Sequence, residues 1–294
     1  MRLLFALLLV LVFLALPAAV SAQDKFFDSN GVQIRYVDQG SGEAIILVHG
    51  LNNTIEIWNA PGILANLAKD YRVVAFDMRG HGKSGKPHDP KQYGREMGLD
   101  IIRLLDHLNI RRAHIVGYSL GGIVTAQLLT LHPDRFLTAT LVAGSPRLEW
   151  TPDLARDAEQ EASERERECV SRTLMFRLAP LDAPKPSEEA IKVASDGCLA
   201  NPDIDRFAIA ALTRSRSDQV IDPALTSTVR VPTLAIVGNQ DTFLTPLRAL
   251  KELRPDLKLI VVDGATHGGP RGILTRSELT GAVREFIAVH KATN

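Results

Sequence analysis

Six short apolar runs, at residues 44–48, 72–76, 114–116, 137–143, 233–237 and 257–262, are largely β-branched, and Gly, Pro or Asp bounds most of them. They are continuous rather than alternating. A strand with one face in water alternates apolar and polar residues, so continuous runs call for a sheet covered on both faces. Two further runs, 26–29 and 32–37, flank Asn30-Gly31, a pair that favours a primed turn and hence a hairpin. Between the runs, apolar residues recur at helical spacing: Met97, Ile101, Leu104, Leu105 and Leu108; Ile123, Leu128 and Leu131; Leu279, Val283, Phe286 and Ile287. Strand–helix alternation of this kind predicts an α/β chain, a doubly wound, mostly parallel sheet of eight strands.

Composition narrows the function classes. The 294 residues carry 34 Lys plus Arg against 34 Asp plus Glu, so the basic excess of a nucleic-acid binder is missing. Two cysteines are too few for a disulfide scaffold or a four-thiolate zinc site. Residues 1–22 pair a basic start, Arg2, with an apolar run over 3–16 and small residues at Val20 and Ala22. This predicts a signal peptide cut after Ala22, and a secreted or periplasmic protein starting at Gln23. The run is shorter than the ~20 residues of a spanning helix, so no stable membrane insertion is expected after cleavage. In such a compartment Cys169 and Cys198 either pair or remain buried thiols; the sequence leaves both open.

Residues 146–230 break the alternation. No convincing strand occurs there, and short helical stretches are separated by Pro180, Pro184, Pro186 and Pro202. The segment is expected to be a helical cap inserted into a core formed by 23–145 and 231–294. Its charged stretch, 153–168, reads as a solvated helical face.

Three glycine motifs compete for attention. Gly80-His81-Gly82-Lys83-Ser84-Gly85 matches a dinucleotide fingerprint, but Pro87 and Pro90 follow where a helix is required. Gly82-Lys83-Ser84 ends like a phosphate loop, yet Asp77 stands at the leading glycine. Gly117-Tyr118-Ser119-Leu120-Gly121-Gly122 is different, because a predicted strand precedes it and a predicted helix follows. A sharp strand-to-helix turn pushes Ser119 outward beside the positive end of the helix.

A serine hydroxyl needs a base, and the base needs a carboxylate to fix its tautomer. Of eight histidines, His267 lies in a glycine-rich loop after the last strand, where catalytic groups of such sheets gather. Asp241 follows the strand ending at Val237 and is preferred over Asp263, which is too near His267 in sequence. The backbone N–H groups of Leu120 and Leu51 are the candidate oxyanion donors. Candidate substrate contacts are His49, Gly50 and Tyr118, with Met175 and Phe176 among the apolar residues of the insertion, which include Leu174 and Leu178. Activity is expected to fall in acid as an imidazole of ordinary pKa, ~6.5, is protonated.

His49-Gly50 with Trp58 downstream, Asp77-Met78-Arg79-Gly80-His81-Gly82-Lys83-Ser84, the Ser119 motif, Asp241 and His267 together resemble the cap-bearing members of the α/β-hydrolase fold family. The resemblance runs from Phe26 to the carboxyl end. It implies serine hydrolase chemistry through a covalent acyl-enzyme, with no metal or organic cofactor and a small-molecule ester or acyl substrate. The family's epoxide hydrolases and haloalkane dehalogenases carry Asp where this chain has Ser119, which disfavours those activities. Three readings follow: an esterase; a hydrolase of lactone, amide or C–C bonds with the same triad; or a ligand-binding protein of the same fold. Oligomeric state is not legible.

Overall fold

The Asn30-Gly31 turn sets the first register. In the computed structural model, which describes residues 23–290, both turn residues have positive φ, 57° and 83°, as a primed turn requires. They join β1 (Lys25–Ser29) to β2 (Val32–Gln39), with Ser29 opposite Val32. The remaining strands are β3 (Ala44–Val48), β4 (Arg72–Phe76), β5 (Ala113–Tyr118), β6 (Phe136–Val142), β7 (Thr233–Gly238) and β8 (Lys258–Val262). They form one eight-stranded sheet in the order β1-β2-β4-β3-β5-β6-β7-β8. β2 runs antiparallel to β1 and β4, and all other neighbours are parallel. The expected α/β architecture is present. The expected leader, residues 1–22, lies outside the described residues.

The helices in chain order are α1 (Glu56–Asn59), α2 (Ile63–Leu67), α3 (Arg95–His107), α4 (Leu120–Leu131), α5 (Pro152–Glu168), α6 (Arg172–Arg177), α7 (Glu188–Ala200), α8 (Arg206–Arg214), α9 (Pro223–Thr228), α10 (Leu244–Leu253) and α11 (Ser277–Ala288). Strand β3 shows why its sequence is unbroken. Ile46 and Val48 pack with Met97, Ile101 and Val124 of α3 and α4, while Ile45 and Leu47 pack with Leu64 of α2 and Leu279 and Val283 of α11. Each face therefore buries its own half of the strand, and each such side chain contributes roughly 1.5–3 kcal/mol. Strand β8 departs from this pattern. Val261 is 41% exposed, because β8 is the sheet edge and no further strand lies beyond it among the described residues.

Helices α5 to α9 occupy the chain between β6 and β7, where the described residues show one isolated bridge, Arg147 to Val220, and no strand. The charged helix α5 corrects the expected solvated face. Asp153, Arg156, Asp157 and Arg167 are exposed, but Ala158, Glu161, Ala162 and Arg165 form a buried stripe against the neighbouring helices. Glu161, fully buried, pairs with Arg177 at 2.7 Å and Arg216 at 2.8 Å. Charge counting along a sequence cannot separate the two sides of one helix.

The open question of Cys169 and Cys198 is answered by a disulfide with Cα atoms 5.8 Å apart. It ties the carboxyl end of α5 to α7. Closing a loop of sequence separation 29 contributes about 3–4 kcal/mol in the chain-entropy model. The double variant Cys169→Ser/Cys198→Ser should lose stability of that order in urea unfolding, and the unreduced, unfolded wild type should give no free thiol with a thiol reagent. Two titratable thiols in the unreduced protein would contradict the pairing.

Candidate active site

Ser119 sits between β5 and α4 with φ 52° and ψ −113°, a conformation that costs a non-glycine residue about 1–3 kcal/mol. The chain can turn this sharply because its flanks lack side chains. A Cβ on Gly117 would lie 2.3 Å from the Gly121 carbonyl oxygen, and one on Gly121 would lie 2.2 Å from that of Val48. The Ser119 N–H donates to the Val142 carbonyl oxygen at 2.8 Å, which fixes the turn against β6. Ser119 thereby lines a cavity beneath the inserted helices.

The acid and the imidazole come from two loops laced together. The Gln240 N–H donates to the Ala265 carbonyl at 3.0 Å, and Gly238 approaches that carbonyl so closely that a Cβ would stand 2.0 Å from it. His267 Nε2 then lies 2.9 Å from Ser119 Oγ, and His267 Nδ1 lies 3.0 Å from Asp241 Oδ2. Asp241 is buried, and its Oδ1 accepts the Phe243 N–H at 2.9 Å. With the carboxylate accepting at Nδ1–H, Nε2 is the basic nitrogen toward the hydroxyl. The imidazole is stacked between Tyr118 and Phe243, with ring centroids 5.4 Å and 5.3 Å away. Burial pushes the Tyr118 phenol above its ordinary pKa, and it donates to the His267 carbonyl at 2.8 Å. The rival acid, Asp263, instead accepts from the Asn239 amide at 2.6 Å.

The cavity measures about 240 Å3, and Ser119, Leu51 and Leu120 line it together. As the first residue of α4, Leu120 has an N–H with no acceptor inside its own helix. Leu174 and Leu178 face the cavity with Arg177, but Met175 and Phe176 do not. Helical geometry explains this: positions 174, 177 and 178 share a face, and 175 and 176 turn away from it. His49, Gly50 and Tyr118 do not line the cavity either. His49 is fully buried; its Nδ1–H donates to the Gly50 carbonyl at 2.8 Å, and its Nε2 accepts the Met78 N–H at 2.9 Å. A Cβ on Gly50 would meet the Tyr118 ring at 3.0 Å, so these three support the site rather than face the cavity. Sequence reading missed Arg147, Arg216 and Phe243 in the lining. Arg147 follows β6 at the carboxyl edge of the sheet, a position that could have flagged it.

The segment rejected as a nucleotide loop has a supporting role. Asp77 accepts the Ile55 N–H at 2.8 Å and the Lys83 N–H at 2.9 Å, and pairs with Arg35 at 3.1 Å. This fixes the loop carrying Leu51 relative to the loop after β4. Among the described residues, no group of three or more His, Cys, Asp or Glu is arranged to hold a metal ion.

A family model described as alpha/beta hydrolase fold matches residues 43–168. The dihydrolipoyllysine-residue acetyltransferase component of the acetoin cleaving system of Cupriavidus necator is 36% identical over 127 residues, which are 42% of this chain and 32% of that protein. The chain thus spans about a third of that relative's length. The 3-oxoadipate enol-lactonase 2 of Acinetobacter baylyi is 28% identical over 217 residues, 73% of this chain and 78% of the relative. A solved thermophilic esterase from Thermogutta terrifontis aligns with a TM-score of 0.72 at 22% identity, covering 92% of this chain and 100% of that one, a likeness of fold. The eight-stranded, mostly parallel sheet has the α/β-hydrolase fold, the family model matches part of it, and the proteins it is similar to include hydrolases.

Beside the site, burial lowers the pKa of His49 to about 4 and of His81 to about 3, the latter aided by repulsion from His49. Unfolded imidazoles take up protons below ~6.5, while these two stay neutral in the fold. The unfolded state therefore binds more protons in this window. Stability is fully present above pH ~6.5 and declines as the pH falls toward 4 and 3, by about 2 kcal/mol per histidine at pH 5. Urea unfolding at pH 7 and pH 5 should show this loss, and His81→Gln should reduce it. Equal unfolding free energies at the two pH values would contradict it.

Proposed function

We propose that this protein is a serine hydrolase that cleaves a carboxylic ester through a covalent acyl-enzyme. The observation that carries the reading is the unbroken chain from Ser119 Oγ through His267 to Asp241, at 2.9 Å and 3.0 Å, opening on a cavity of small-molecule size. In this reading Ser119 Oγ attacks the ester carbonyl carbon as its proton passes to His267 Nε2. Asp241 stabilises the imidazolium and holds its orientation. The carbonyl oxygen, now negative, accepts from the N–H groups of Leu51 and Leu120. Collapse of the tetrahedral intermediate breaks the bond to the alcohol oxygen, which leaves with the proton from Nε2. Water then attacks the acyl-Ser119 carbonyl with Nε2 as base, releasing the acid and restoring the hydroxyl. Residues 146–230 act as the cap, and Leu154, Leu174 and Leu212 supply the apolar wall over the acyl or alcohol part.

A cyclic ester is the nearest alternative, because the enol-lactonase relative matches most of both chains. The test is turnover of short and long p-nitrophenyl esters beside aliphatic lactones. Wild type should hydrolyse an ester, and Ser119→Ala should fall by at least about 10³-fold and Asp241→Asn by about 10³–10⁴-fold. Preference for lactones would move the substrate class within the same chemistry. Ester hydrolysis by Ser119→Ala at the wild-type rate would overturn the reading.

A further inference from the structure

The cavity beside Ser119 is apolar over much of its wall, yet three guanidinium side chains line it: Arg147, Arg177 and Arg216. Arg177 and Arg216 share one carboxylate, the fully buried Glu161, at 2.7 Å and 2.8 Å. That arrangement ties α5 to α6 and to the turn after α8, and it accounts for these two cations as cap-holding groups. It does not account for Arg147. This residue reaches the cavity from the loop after β6, and it forms no ion pair among the described residues. Its guanidinium lies over the Trp150 ring at 5.6 Å, and its buried Nε has no hydrogen-bond partner.

A fourth guanidinium, Arg165, is buried next to this group and also has an unpartnered Nε. Glu164 is the second buried acid of α5, and it already accepts from Ser171 and Thr173. Arg177 is 44% exposed and hydrated, so three guanidiniums, Arg147, Arg165 and Arg216, stand against the two carboxylates away from bulk water, an excess of one positive charge. Burial and repulsion from Arg216 and Arg177 lower Arg147 to about 10, and burial with repulsion from Arg216 does the same to Arg165. Uncompensated buried cations are costly, and an anion on the cavity side removes the deficit. A pocket for a purely aliphatic acyl chain would gain nothing from it.

We propose that the cavity is an anion subsite, and that the substrate is a small ester or lactone bearing a free carboxylate, which Arg147 and Arg216 receive while the ester carbonyl lies at Ser119. The inference rests on the hydrolase reading for the ester, and on the cavity itself for the carboxylate. Guanidinium–carboxylate hydrogen bonds are charge-assisted and stronger than neutral ones, so the free acid governs which esters bind.

Binding separates this subsite from catalysis. Ser119→Ala protein is titrated calorimetrically with monomethyl glutarate and with its neutral counterpart, dimethyl glutarate. The monoester should bind at least tenfold more tightly, and the preference should weaken as salt is raised. On the same background Arg147→Met should bring the ratio of the two affinities close to one, with Arg147→Lys restoring part of it. Equal binding of the two esters, or an unchanged ratio in a folded Arg147→Met protein, would overturn the subsite. Should Arg147→Met not fold, the comparison of the two esters in Ser119→Ala alone decides. A retained monoester preference together with undiminished ester hydrolysis in Ser119→Ala would instead sink the serine mechanism and leave the subsite standing.

Discussion

The close approach of β5, α4 and the end of β3 is the constraint on which the rest depends. Three backbones meet there with room for no side chain at positions 117 and 121. The strained Ser119 backbone follows from that contact, and so does the outward hydroxyl. The strain persists because β5 is anchored between β3 and β6 while α4 is buried along most of its length. A looser junction would let the turn relax and withdraw the oxygen from the imidazole.

The sheet then determines what can reach that oxygen. The loops after β7 and β8 leave its carboxyl edge side by side, which lets residues 241 and 267, distant from 119 in sequence, meet within hydrogen-bond range. Stacking between Tyr118 and Phe243 limits the rotation of the imidazole, so the Ser119–His267–Asp241 arrangement is held by packing as well as by hydrogen bonds. On the other side, the helices between β6 and β7 supply both apolar surface and positive charge. The same Glu161 carboxylate that joins these helices leaves their guanidiniums only partly neutralised.

Much of this was legible in the sequence, for identifiable reasons. Continuous apolar runs and the Asn30-Gly31 turn encode the sheet through local rules of burial and backbone conformation. Ser119, Asp241 and His267 were legible because each sits in a loop at the edge where such sheets present their chemistry. The lining of the cavity was less so. Leu174 and Leu178 could be read as cap residues, but choosing them over Met175 and Phe176 required the rotation of α6 about its axis. The buried Glu161 and Arg165 were hidden in a run that, as composition, looks uniformly solvated. Arg147 and Arg216 meet only because non-local packing brings the loop after β6 against the turn after α8.

The proposed function requires Ser119 to be an activated nucleophile. Reaction of the native protein with a fluorophosphonate, followed by intact-mass and peptide mapping, tests it most directly. The expected result is one phosphonyl group per chain, attached at Ser119, and none on protein unfolded before exposure. An unlabelled native chain, or a label resting on another residue with Ser119 unmodified, would contradict it.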